Sequence, residues 1–118
     1  MPQVTIFNLK EADRLPDIAE AVRHALTSMP ELQINDHEID VVPVLAPDSF
    51  DALTTRINVD LWEHEARTKE ALQELATRVA RAFQTVAGTN RKVKAVIRPY
   101  DVGRSGWVSL GADQRACE

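Results

Sequence analysis

Pro2 directly follows Met1 and runs without a turn into an alternating stretch, Gln3-Val4-Thr5-Ile6-Phe7-Asn8-Leu9. Aminopeptidases generally remove a methionine that precedes proline, which would expose a secondary amine at Pro2. A free α-amine has a pKa of about 7.7–8, and an apolar pocket lowers it by disfavouring the charged form. Such a nitrogen is a general base poised near neutral pH, and the strand behind it would hold it on a rigid element. With Met1 retained, the same nitrogen is a non-basic amide.

Proton transfer next to a carbonyl also needs a group to stabilise the enolate oxygen and walls that exclude water. Arg98 and Arg56 fit the first role, because each falls on a polar strand face and arginine holds its charge throughout. The alternative for both is a surface ion pair with a carboxylate such as Asp60 or Asp101. Trp62, Tyr100 and Trp107 fit the second role; the alternative is a subunit interface, where aromatic residues are enriched.

Other chemistries lack their residues. His64-Glu65-Ala66-Arg67-Thr68 begins like a zinc-protease helix motif, but Thr68 stands where the second ligand is required. His24 sits beside an apolar stripe and His37 in a loop. No spacing of cysteine, histidine and carboxylate suits a structural metal. Neither a Gly-rich phosphate loop nor a Gly-x-Ser-x-Gly elbow occurs. The expected chemistry therefore uses no cofactor.

The elements that must position these residues follow from length and periodicity. With 118 residues the chain makes one domain, expected over 1–110 with a polar tail over 111–118. A net charge of −4 gives no basic face for nucleic acid. No apolar run is long enough to span a membrane, and the N-terminus lacks the regions of a secretory signal. The single cysteine, Cys117, cannot form an internal disulfide, which fits a reducing compartment. The expected location is cytoplasmic.

Residues 3–9 predict a strand with Val4 and Ile6 on one face and Phe7 and Leu9 on the other. Leu15, Ile18, Val22, Leu26 and Met29 predict a helix, with Asp13 as N-cap, Pro16 in its first turn and Pro30 as its stop. Residues 38–45 predict a second strand, with Pro43 marking an edge or bulge. A loop follows over 46–51. Residues 56–62 alternate as a third strand with Arg56, Asn58, Asp60 and Trp62 on its polar face. Residues 66–86 predict the longest helix, with Leu72, Leu75, Val79, Phe83 and Val86 on its buried stripe. Residues 92–98 predict a fourth strand ended by Pro99, and 100–110 a β-hairpin arm.

Strand–helix–strand thus occurs twice. Two right-handed β-α-β units give a four-stranded mixed sheet with both helices on one face, an α/β two-layer sandwich with short added C-terminal strands. The other sheet face carries apolar side chains and lacks cover, and self-association would supply it.

This organisation, with Pro2 at its start, resembles the tautomerase superfamily over residues 2–109. Tyr100-Asp101 followed by Gly106-Trp107 is similar to the ending of the macrophage migration inhibitory factor group, with a loop two residues shorter. Val59-Asp60-Leu61-Trp62, leading into the helix with Lys69 and Glu70, resembles a small uncharacterised bacterial tautomerase-like family. The resemblance, which extends to 4-oxalocrotonate tautomerase-like folds, implies a homotrimer with a site at each subunit interface. It implies keto–enol isomerisation of a small anionic, carboxylate-bearing substrate, an intramolecular oxidoreduction. Pro2 would be the catalytic base and Arg98 a second catalytic residue, with Arg56, Trp62, Tyr100 and Trp107 binding substrate. Some members instead use a protonated proline for hydration or dehalogenation. Val96 stands where the migration inhibitory factor group has a tyrosine, and Glu31 and Leu32 where it has a lysine. These departures favour the alternative of a non-catalytic trimeric binding module.

Overall fold

A computed structural model describes residues 2–10, 12–46, 54–106, 108, 110 and 111. The elements run β1 (Gln3–Leu9), α1 (Leu15–Thr27), β2 (Asp40–Leu45), β3 (Thr54–Trp62), α2 (Lys69–Ala87) and β4 (Lys92–Tyr100). The sheet order is β2-β1-β3-β4. Each half contributes a parallel pair, β1 with β2 and β3 with β4, and the halves join through antiparallel β1 and β3. This is the expected four-stranded mixed sheet, built from two β-α-β units.

Both helices cover one face because their apolar stripes meet the same alternating rows. Val4, Ile6, Ile57, Val59 and Leu61 pack with Ile18, Val22, Leu26, Leu75, Val79 and Phe83 in one fully buried cluster. Burying a side chain of this size contributes roughly 1.5–3 kcal/mol. The other face displays Thr5, Phe7, Arg56, Asn58, Asp60, Trp62, Lys94, Val96, Arg98 and Tyr100, by the same alternation.

Several local expectations are corrected. Leu9 joins the core instead of facing away from it, because Asn8 takes a left-handed φ of 67° and the β1–β2 register shifts there. Asn8 Nδ2 donates to the Thr54 carbonyl at 2.7 Å, which holds the bulge. Arg14, not Asp13, is the α1 N-cap, without a side-chain cap bond. Asp13 instead accepts from the Lys10 amide at 2.7 Å and from Arg91 Nη1 at 2.9 Å, tying the start of α1 to the start of β4. α2 begins at Lys69, capped by Thr68 Oγ1 accepting from the Ala71 amide. Pro99 does not end β4, which runs to Tyr100: the strand is at a sheet edge, where a missing N–H loses no ladder bond. Pro43 likewise lies in edge strand β2.

Beyond Tyr100, Val102–Arg104 form a 3-10 turn, and no described residue there is in a strand, so the expected hairpin arm is absent from the described chain. Met1, the loop over 47–53, Trp107 and residues 112–118 with Cys117 lie outside the described residues.

Candidate functional site

The end of the sheet where β1 starts holds Pro2 on its helix-covered face and Arg98, Trp62 and Tyr100 on the other. Continuing the ladder one step past Gln3↔Asp60 sets Pro2 beside Leu61, whose partner on β4 is Pro99. Pro2 is buried, and its carbonyl accepts from the Asp40 amide at 3.1 Å. The residue is therefore pinned from the β2 side and belongs, by alternation, to the helix-covered layer.

The sequence candidates on β3 and β4 occupy the opposite face. Arg98 donates from Nε to Asp60 Oδ1 at 2.7 Å and from Nη2 to Oδ2 at 2.9 Å, a bidentate pair. That hydrogen bond, with the carboxylate's charge, raises the Arg98 pKa further. Trp62 and Tyr100 are register partners and meet edge to face, with centroids 6.4 Å apart and planes at 80°. Arg56 donates from Nε to Asn58 Oδ1 at 2.8 Å.

Arg98 and Arg56 do not converge on Pro2 within one subunit. Strands lie about 4.8 Å apart, so Arg98, two strands over, is about 10 Å to the side and on the other face. Arg56 pairs with Phe7, five residues along β1, roughly 17 Å away at the usual strand rise. Each arginine can meet a Pro2 only across a subunit boundary. Trp107, the remaining candidate, lies outside the described residues.

One cation at the Pro2 end was missed from sequence. Arg67, in the turn before α2, donates from Nε and Nη2 to the Leu32 carbonyl at 3.1 and 3.0 Å. Its Nη1 donates to the Trp62 carbonyl at 2.5 Å, one residue beyond Leu61. Partial burial lowers the Arg67 pKa, and the charge of Glu38 opposes the shift. Three of the five guanidinium N–H groups are used, leaving two donors. Arg67 also lines a groove of about 500 Å³ with Glu63, Lys69, Leu72, Ile97 and Pro99. Its only sequence signal was the failed zinc motif in which it stands.

Among the described residues no group of three or more histidines, cysteines or carboxylates is arranged to hold a metal ion. No described helix is long and apolar enough to cross a membrane.

No family model matches the sequence, and no curated protein matches it. Solved structures do match. The fused 4-OT wild-type asymmetric trimer aligns with TM-score 0.74 at 12% identity, over 98% of this chain and 98% of that one. FG41 malonate semialdehyde decarboxylase inhibited by 3-bromopropiolate aligns with TM-score 0.66 at 16% identity, over 99% and 95%. 5-Carboxymethyl-2-hydroxymuconate delta-isomerase aligns with TM-score 0.64 at 14% identity, over 94% and 89%. At such identities the likeness is one of fold alone.

Proposed function

We propose that this chain is a cofactor-independent tautomerase or isomerase that moves a proton between the keto and enol forms of a small carboxylate-bearing molecule. Pro2, freed of Met1, is the general base. The observation that carries this reading is the placing of Pro2: buried at the end of β1, with the half-buried cation Arg67 bonded one residue beyond its cross-strand neighbour. A buried amine is held neutral and basic near pH 7, while a charged guanidinium with two donors to spare attracts a carboxylate or enolate oxygen. The Pro2 nitrogen takes the proton from the enol oxygen as C=O forms and delivers it to the carbon α to that carbonyl, so no other reactant is consumed.

The working unit is taken to be a homotrimer, which the trimer of the fused 4-OT structure supports. In it, Arg98, Trp62 and Tyr100 of one copy's open face would meet the Pro2 end of the next. The test is ketonisation of an enol-pyruvate substrate by wild type and Pro2→Ala. A large rate loss in Pro2→Ala supports the reading, and equal rates end it.

A second reading, a non-catalytic trimeric binding module, draws on the Arg98–Asp60 pair, which engages both carboxylate oxygens and already neutralises that cation. Intact mass separates the two. Met1 retained on the protein from cells favours the module.

A further inference from the structure

The surroundings of Arg67 carry more negative than positive charge. Arg67 itself bonds two neutral carbonyls, those of Leu32 and Trp62, so its own charge is met at contact by dipoles. Lys69 lines the same groove and adds a second cation. Glu63 shares that groove, and Glu65 shares the adjoining cleft with Glu63 and Arg67.

Two more carboxylates belong to the chain entering β2. The Asp40 amide donates to the Pro2 carbonyl at 3.1 Å, and Asp40 is the register partner of Gln3. One step back along this parallel pair the buried Ile39 lies beside Pro2, which sets Glu38 on the nitrogen side of Pro2. Glu38 ends the 3-10 turn Asp36–Glu38, and its charge reaches Arg67, where it opposes the effect of burial. His37 Nε2 comes only to 3.9 Å from Glu38 Oε1 and is largely exposed, so it offsets little of that charge. Among the described residues, then, four carboxylates stand against two cations. The Arg98–Asp60 pair of the opposite face adds no net charge to either side.

Charges closer than the Debye length, about 8 Å at physiological salt, are only partly screened. One carboxylate of a ligand bonded to the Arg67 fork outweighs the repulsion around it, because that contact is close and charge-assisted. A second carboxylate on the same molecule doubles the repulsion from Glu38 and Glu63 and has only Lys69 to answer it. Repulsive groups of this kind set specificity by penalising the wrong ligand.

We propose that Glu38, with Glu63, is a specificity-determining residue that makes the Arg67 site accept a monoanion and reject a dianion. For the reaction this rests on the role given to Pro2, and it narrows the substrate to enols of 2-keto acids with a single carboxylate.

The test compares 2-oxobutyrate, a monoanion, with 2-oxoglutarate, a dianion, by chemical-shift titration of the full chain. Wild type should bind the monoanion at least fivefold more tightly. Glu38→Gln should tighten the monoanion about threefold and the dianion about tenfold, so the preference narrows; Glu38→Asp, which keeps the charge, should preserve it. Glu20→Gln, the same change of charge on the outer surface between the helices, should leave the preference as in wild type. Arg67→Gln should weaken both ligands. Equal or tighter binding of the dianion by wild type overturns the proposal, as does an unchanged preference in Glu38→Gln, an equal narrowing in Glu20→Gln, or no saturable binding of either probe. Ketonisation of the enols of pyruvate and oxaloacetate separates this from the role of Pro2. The expected binding pattern without turnover of either enol removes the activity and keeps the specificity, whereas turnover of both at equal kcat/KM keeps the activity and removes the specificity.

Discussion

Arg98 grips Asp60 with two nitrogens at once, at 2.7 and 2.9 Å, directly across the β3–β4 ladder and on the sheet face opposite Pro2. The pair is solvent-exposed, so water screens it and its loss should hardly move folding stability. Arg98→Gln is therefore expected to leave the thermal midpoint nearly unchanged while lowering kcat/KM for enol substrate about tenfold. A lowered midpoint with unchanged kcat/KM would restrict Arg98 to the ion pair.

Arg67 is expected to matter in both respects. Its guanidinium holds the carbonyl of fully buried Leu32 and that of Trp62, and removing it takes away the donors that tie those two carbonyls together. Arg67→Gln should cost about 1–3 kcal/mol of stability, and Arg67→Lys somewhat less, measured by urea unfolding. KM for an anionic substrate should rise in both.

The direction of the Arg67 pKa shift fixes a pH prediction. Burial lowers it in the folded state, so the unfolded chain binds the proton more tightly and stability rises with pH through that range. The range is strongly alkaline, since an arginine side chain ordinarily titrates above about pH 12. Arg67 therefore keeps its charge between about pH 6 and 9, and the pH dependence of the unfolding midpoint there should be the same for wild type and the uncharged Arg67→Gln, though not its value.

The doubled β-α-β order was legible because strands and helices print different apolar periods on the chain, and the stripes through Val22 and Val79 and the alternation through Ile57 and Val59 are unbroken. What escaped depended on partners distant in sequence. Arg67 acquires its place from a carbonyl 35 residues away, which no local pattern displays. Alternation puts Arg56 and Arg98 on a polar strand face, but periodicity does not say which end of the sheet, or which side, Pro2 occupies. Pro99 looked like a strand end because a proline is tolerated inside a strand only at an edge, and edge position follows from sheet order.

Leu9 shows how a single backbone angle redirects a side chain. Asn8 at φ 67° supplies the shift that turns Leu9 into the core, and its Nδ2 bonds the Thr54 carbonyl. Asn8→Ala loses the bond and places a Cβ-bearing residue without that support in the left-handed region, a cost of about 1–3 kcal/mol. Asn8→Gly loses the bond but accepts the angle, so it should be less damaging. Equal losses in the two variants, by thermal unfolding, would assign the whole effect to the bond.

The pH profile of turnover tests the base itself. A neutral amine accepts a proton and a protonated one does not, so ketonisation by Pro2 should rise as pH passes the amine pKa and then level off. Burial disfavours the charged amine, which moves that rise below the usual α-amine value. Pro2→Ala exposes a primary amine at the same place and should lower the plateau; protein that keeps Met1 has an amide at that nitrogen and should lose the rise altogether. The measurement is kcat/KM against pH for all three proteins, with intact mass confirming residue 1 in each. A hydratase or dehalogenase that needs the protonated amine would lose activity over the same interval, so a falling limb there would reverse the role given to Pro2 while keeping it at the centre of the site. Activity in the Met1-retaining protein that rises with pH as in wild type would remove Pro2 from the chemistry.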